Sequence, residues 1–177
     1  MQANRNSANT RLVKAVLVAG LYPNLIKCVP PSKPGGTPKL LYLSEEGREE
    51  MLQVHPSSVN HGAKKYAARW MVYHERVQTT SVFVRDCSTV TPYQLLLFGG
   101  KIAVQHAAGT LSLDKWAQFK APARVGVLLK EIRARLDRVL SDKIERPHED
   151  VQATGGPLVE AILQLLNTEP MTTAPSS

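Results

Sequence analysis

Cysteine is scarce in this chain: Cys28 and Cys87 are the only two in 177 residues, and neither sits in a C-x-x-C pair. Such scarcity argues against a disulfide framework and a structural zinc, and it agrees with a reducing compartment, cytoplasm or nucleus. No apolar h-region opens the polar start MQANRNSANTR, so no signal peptide is expected. The longest apolar stretch near it, 12–21, contains Lys14 and is too short to span a bilayer, so no membrane is expected as a partner. Catalytic signatures are missing as well. No G-x-x-x-x-G-K-[ST] and no D-E-x-H occurs, so nothing here can cradle a triphosphate and its magnesium. Gly35-Gly36 and Gly99-Gly100 are better explained as turns than as phosphate loops. G-x-S-x-G and H-E-x-x-H are absent. His55, His61, His74, His106 and His148 lack the spacing of metal ligands. Catalytic residues, a metal and a cofactor are therefore not expected in this chain, and no internal repeat is evident.

What remains is a basic chain with enough apolar residues to fold. Hydrophobic residues make up 43%, which supports a core, and the net charge of +7 points to a polyanion partner. The length suits one ordinary domain with extra segments. The charge is clustered: between His55 and Cys87, Lys64, Lys65, Arg69, Arg76 and Arg85 stand against Glu75 and Asp86.

That cluster falls on a predicted β-hairpin. Trp70–Val77 and Ser81–Cys87 alternate β-branched or aromatic residues with polar ones around the turn Gln78-Thr79-Thr80. Upstream, 9–19 reads as a helix with Leu12, Val13, Val16 and Leu17 on one stripe, capped by Asn9 or Ser7 and stopped by Gly20. The proline-rich run 30–38 can be neither helix nor central strand. Lys39–Leu43 reads as the first strand and Met51–His55 as the second, although 45–52 could also form a short helix. Tyr93–Phe98 is a short apolar run, and a last hairpin pairs 101–105 with 110–113. Five or six short strands separated by turns imply a small, closed or nearly closed barrel.

Beyond it the pattern turns helical. Val125, Leu128, Leu129, Ile132, Leu136, Val139, Leu140 and Ile144 form a stripe, opposite Arg124, Lys130, Arg133, Arg135 and Arg138. Glu131 and Arg135 are one turn apart, which favours a solvated charged face over a nucleic-acid contact. Gly155-Gly156-Pro157 is expected to introduce a last helix, 158–166.

A basic hairpin with interleaved aromatics supplies what single-stranded nucleic acid requires: cations for phosphate and rings for bases. Lys64 and Lys65 lie in a glycine-containing loop from which they could reach phosphate, or be merely solvated. Arg76 and Arg85 could fork onto phosphate or stack on a base; alternatively they pair within the fold, Arg85 with Asp86 or Glu75. Thr79 and Thr80 offer hydroxyls and backbone N–H groups in the turn. Tyr73 and Phe83 are candidates for stacking, against the alternative that barrel aromatics are core. Ser57 and Ser58, in His55-Pro56-Ser57-Ser58, could contact RNA or simply turn the chain.

The ordered motifs HPSSVN, W-x-V-Y-H-E-x-V-x-T-T, V-F-V-R-D-C and P-Y-x-L-L-L-F-G-G resemble the C-terminal OB-fold domain of the DEAH/DExH-box RNA helicases. The resemblance extends from about Leu12 to about Leu166, and it is more similar to the branch that includes G-quadruplex-resolving helicases than to the splicing helicases. It implies a mainly β fold with flanking helices: an OB-fold-like barrel followed by a long amphipathic helix and a C-terminal helix. The expected organisation is a disordered start and helix left from a preceding helical domain (1–21), a connector (22–38), a barrel (39–120), C-terminal helices (121–167) and a disordered tail (168–177). It further implies a C-terminal piece of a helicase that binds single-stranded RNA, extends to structured G-rich nucleic acid, and works with motor domains in cis or trans. ATP and magnesium would bind those motor domains. The alternative is a docking module for acidic protein surfaces.

Overall fold

The basic hairpin predicted around Trp70 is present and forms one wall of a closed barrel. In the computed structural model, which describes residues 6–148 and 150–168, β4 (Trp70–Gln78) pairs antiparallel with β5 (Val82–Val90), from Trp70↔Val90 to Gln78↔Val82. β1 (Leu25–Val29) pairs with β2 (Lys39–Leu43) on one side and with β4 on the other. β3 (Glu49–Val54) runs antiparallel to β2 and parallel to β5, which closes the ring in the order β1-β2-β3-β5-β4.

Alternation puts every second residue inside. Ile26 and Cys28, Leu40 and Tyr42, Leu52 and Val54, and Met71 and Tyr73 point into one core. β5 breaks the period: Val84 and Cys87 are both buried, three residues apart, because Asp86 between them has φ +49. Asp tolerates that left-handed geometry better than a branched residue would.

The barrel therefore spans 25–90 rather than 39–120. β1 lies inside the segment expected to be a connector, leaving 22–24 and 30–38 irregular. The strand Leu25-Ile26-Lys27-Cys28-Val29 is short and flanked by prolines, which hid it among turn signals.

The chain divides into two units, one holding residues 13–91 and the other 92–168 with residues 6–12. α1 (Thr10–Leu21) is split between them after Leu12. Asn9 caps it, its Oδ1 accepting from the backbone N–H of Arg11 and of Leu12 at 3.1 and 3.2 Å. The expected stripe is out of phase. Ala15 and Val18 are buried, whereas Val13 and Val16 are exposed. Lys14 lies partly buried, donates from Nζ to Thr89 Oγ1 at 3.0 Å, and is lowered in pKa by desolvation. Residues 13–21 thus group with the barrel, and the boundary near residue 22 is not observed.

In the other unit, the run expected as 93–98 is a helix, α2 (Pro92–Phe98). β6 (Ile102–Gln105), β7 (Thr110–Leu113) and β8 (Ala117–Lys120) form a separate three-stranded sheet, so the last hairpin does not belong to the barrel. α3 (Ala123–Glu145) approaches this sheet at Gly126, where a Cβ would stand 2.4 Å from Leu111 Cδ2 and 2.8 Å from Val104 Cγ2. Arg133 does not join the solvated face. Its guanidinium donates to the carbonyls of Gly99, at 2.7 Å, and of Gly100, at the end of α2. Arg135 does pair with Glu131, Nε to Oε1 at 2.9 Å. α4 (Val151–Thr168) begins earlier than expected and carries Pro157 inside it, which removes one backbone donor without ending the helix. Gly155 lets it close on α3, because a Cβ there would lie 2.8 Å from Val139 Cγ1. The starting residues 1–5 and the tail 169–177 lie outside the described residues.

Candidate nucleic-acid interface

Between β3 and β4 the chain runs through residues 55–69, a segment tied to the barrel at several points. His55 N donates to Val84 O at 3.0 Å, and Ser58 N donates to His55 O at 2.9 Å. Asn60 Nδ2 donates to Cys87 O at 2.7 Å, His61 Nδ1 lies 3.1 Å from Val54 O, and Tyr66 packs against the barrel core. Lys64 and Lys65 lie exposed between these anchors. Two cations on an anchored loop can meet phosphate with less ordering cost than on a free one.

Where the segment leaves β3, several polar groups and rings converge. Arg85 Nη2 lies 3.2 Å from His55 Nε2, and His55 Nδ1 lies 2.7 Å from Ser57 Oγ. The His55 and Phe83 rings meet edge-on, with centroids 5.9 Å apart at 80°. Glu75 reaches Arg85 only at 3.9 Å, and both side chains are about half exposed. A pair that open to solvent is weakly coupled and leaves most of the positive charge in place. The parallel β3–β5 pairing, Gln53↔Phe83 and Val54↔Val84, is what assembles this cluster.

The structure brings Ser57 and Arg85 together, with Ser58 beside them at the start of the loop. His55 was legible only as the end of the second strand and the start of a turn. Its contact with Arg85 spans 30 residues, and no local signal announces it.

Other candidates fall elsewhere. Tyr73 is 7% exposed in the barrel core, so its ring offers no face for a base; it is a core residue. Arg76 lays its guanidinium over the Tyr42 ring, 4.7 Å from the centroid, and so has a cation–π partner within the fold. The backbone N–H of Thr79 donates to Ser81 O at 3.0 Å, which spends it inside the turn, while the Thr79 and Thr80 side chains stay exposed. Phe83 is half-buried and meets the His55 ring in a T-shaped contact. Among the described residues no group of three or more His, Cys, Asp or Glu could hold a metal ion. No helix among them is long and apolar enough to cross a membrane.

Residues 13–102 match the family model described as oligonucleotide/oligosaccharide-binding (OB)-fold, and residues 109–168 match the C-terminal domain in RNA helicases. The chain is 36% identical over 176 residues to the human ATP-dependent DNA/RNA helicase DHX36, covering 95% of this chain and 17% of that protein. It is 38% identical over 158 residues to the human ATP-dependent RNA helicase DHX29, covering 89% of this chain and 11% of the relative. The Arabidopsis thaliana DExH-box ATP-dependent RNA helicase DExH1 is 34% identical over 167 residues, covering 94% and 16%. The chain therefore spans less than a fifth of the length of these relatives.

Proposed function

We propose a function from one premise: this chain belongs to the C-terminal OB-fold family of the DEAH/DExH-box RNA helicases. It binds single-stranded RNA and carries no catalytic step of its own. The observation that supports this reading is the convergence of Arg85 with the half-exposed His55 and Phe83 rings, where the loop bearing Lys64 and Lys65 begins. The cations neutralise phosphates, Ser57 and Ser58 add hydroxyl contacts, and the exposed part of the Phe83 ring gives a base something to lie against. None of these groups reads a base edge, so binding favours single strands without strong sequence preference. Structured G-rich nucleic acid is a second target of the same chemistry. In an intact helicase the module lines the path of the strand and works with motor domains that hold ATP and magnesium.

Fluorescence anisotropy with a labelled single-stranded RNA tests this over a salt series. Log affinity should fall with log salt at about −0.7 per neutralised phosphate, so three or four contacts give a slope of roughly −2 to −3. Replacing Lys64 and Lys65 together by Ala should make that slope shallower. A salt-independent affinity, or no binding at low salt, overturns the reading and leaves docking to an acidic protein surface as the function of the basic face.

A further inference from the structure

We propose that His55 is a positioning residue: it holds the Arg85 guanidinium in the orientation that meets phosphate. The inference rests on the RNA-binding reading above and assigns a role within that site.

Arginine has only donors, so the nitrogen that faces it must offer a lone pair. His55 Nε2, 3.2 Å from Arg85 Nη2, is therefore the unprotonated nitrogen. In a neutral imidazole the proton then sits on Nδ1, which donates to Ser57 Oγ at 2.7 Å. The Ser57 backbone N–H, 3.2 Å away, is also aimed at Nδ1 and can donate to it only in the other tautomer, which would turn Nε2–H onto the guanidinium. The two contacts compete, and the Arg85 contact selects the Nδ1–H form. The residue is itself held, by its backbone N–H on Val84 O and by the T-shaped contact of its ring with Phe83. A chain of contacts thus runs from Ser57 through His55 to Arg85.

The choice of acceptor matters. A close carboxylate would both orient and neutralise the guanidinium, whereas a neutral imidazole orients it and leaves its charge available. Glu75, at 3.9 Å and half exposed, does not replace it. Arg85 Nε is buried and has no hydrogen-bond partner in the protein, so the side chain is held with donor capacity unused. An arginine fixed in this way loses less rotamer freedom when it binds an anion.

The test is a mutant cycle on the full chain, read by anisotropy with single-stranded RNA. His55→Ala should weaken binding roughly three- to tenfold, the cost of one side chain that must be ordered on binding. His55→Gln should recover most of the loss, because its Oε1 can accept from Arg85. In an Arg85→Ala background, His55→Ala should have no further effect. An equal loss in both backgrounds, or no loss from His55→Ala, overturns the positioning role. Imidazole 15N shifts of the unsubstituted protein give a check that requires no variant to fold: the Nδ1–H tautomer is expected, and Nε2–H overturns the proposal. An unsubstituted chain that binds no RNA fails the underlying reading instead, and it reduces His55 to a structural clamp whatever its tautomer.

Discussion

Tyr42 turns its ring into the barrel and donates from its hydroxyl to Glu50 Oε2 at 2.7 Å, under the Arg76 guanidinium. That bond holds the Glu50 carboxyl below its ordinary pKa and raises the Tyr42 hydroxyl above its own. A lowered carboxyl contributes stability at neutral pH that is lost as pH falls through its folded value. A raised phenol contributes stability that is lost as pH rises through its folded value. Tyr42→Phe should therefore destabilise most near neutrality and least in acid, measured as the shift in denaturation midpoint at each pH. An equal shift at both would show that the bond carries no linkage. Tyr73→Ala should cost about 3–5 kcal/mol of stability, because a large buried ring leaves a cavity. Affinity of the folded fraction for RNA should not change, and a loss of affinity without loss of stability would restore Tyr73 to the interface. The Cys28 thiol is pushed up to about 12, chiefly by burial and secondly by Cys87, and Cys87 is raised by burial as well. At this scale the candidates legible in the sequence were those exposed by local pattern, Lys64 and Lys65 above all. Tyr73 was misplaced because period two cannot tell the inside of a small closed barrel from its outside, whereas Arg76 is exposed and takes a partner within the fold, one of the two alternatives the sequence left open.

Among the elements, the hairpin β4–β5, strand β2 and helix α3 were legible because their apolar period runs long or their turns are clean. β1 and β8 were not: β1 lies between Pro23 and Pro30 in the segment read as a connector, and β8 offers only Ala117 and Phe119 as apolar residues. α1 was found, but its face was misjudged: the alkyl stem of Lys14 can be buried as readily as a valine, and the apolar count alone hides that. The contrast is testable. Val18 is 0% exposed and Val16 is 62% exposed. Val18→Ala should cost about 2 kcal/mol and Val16→Ala close to nothing, by chemical denaturation. Gly126 gives an opposite lesson. In an exposed helix, Gly→Ala gains about 1 kcal/mol of propensity. Here the added methyl would meet Leu111, which is fully buried, and Val104, which is stiff at its branched carbon. Gly126→Ala should be a net loss of about 1–2 kcal/mol, since forcing a methyl into a packed seam outweighs the propensity gain. A stabilised variant would mean that α3 and the β6–β8 sheet are loosely packed.

At the scale of the whole chain, composition and motif order carried the reading furthest. The net charge of +7 supports binding to a polyanion, and the ordered motifs correspond to two family matches over 13–102 and 109–168. The relatives are ATP-dependent helicases, yet the chain covers only 11–17% of three of them. Phosphoryl transfer depends on backbone and lysine donors around the phosphates and on carboxylates or hydroxyls that hold magnesium. The sequence encodes no phosphate-binding loop and no D-E-x-H, and two of the barrel's carboxylates are already engaged, Glu50 with Tyr42 and Glu49 with Lys27 at 2.7 Å. RNA bound at Arg85 and Lys64 would add negative charge, which repels a nucleotide rather than recruiting one. Purified chain should therefore release phosphate from ATP at the buffer rate, with or without single-stranded RNA, in a colorimetric phosphate assay. Contaminating ATPases separate on successive columns, so activity that falls away during purification agrees with this expectation. Turnover that stays proportional to this chain through every column and rises with added RNA would place a nucleotide site within these 177 residues and overturn the division between binding module and motor.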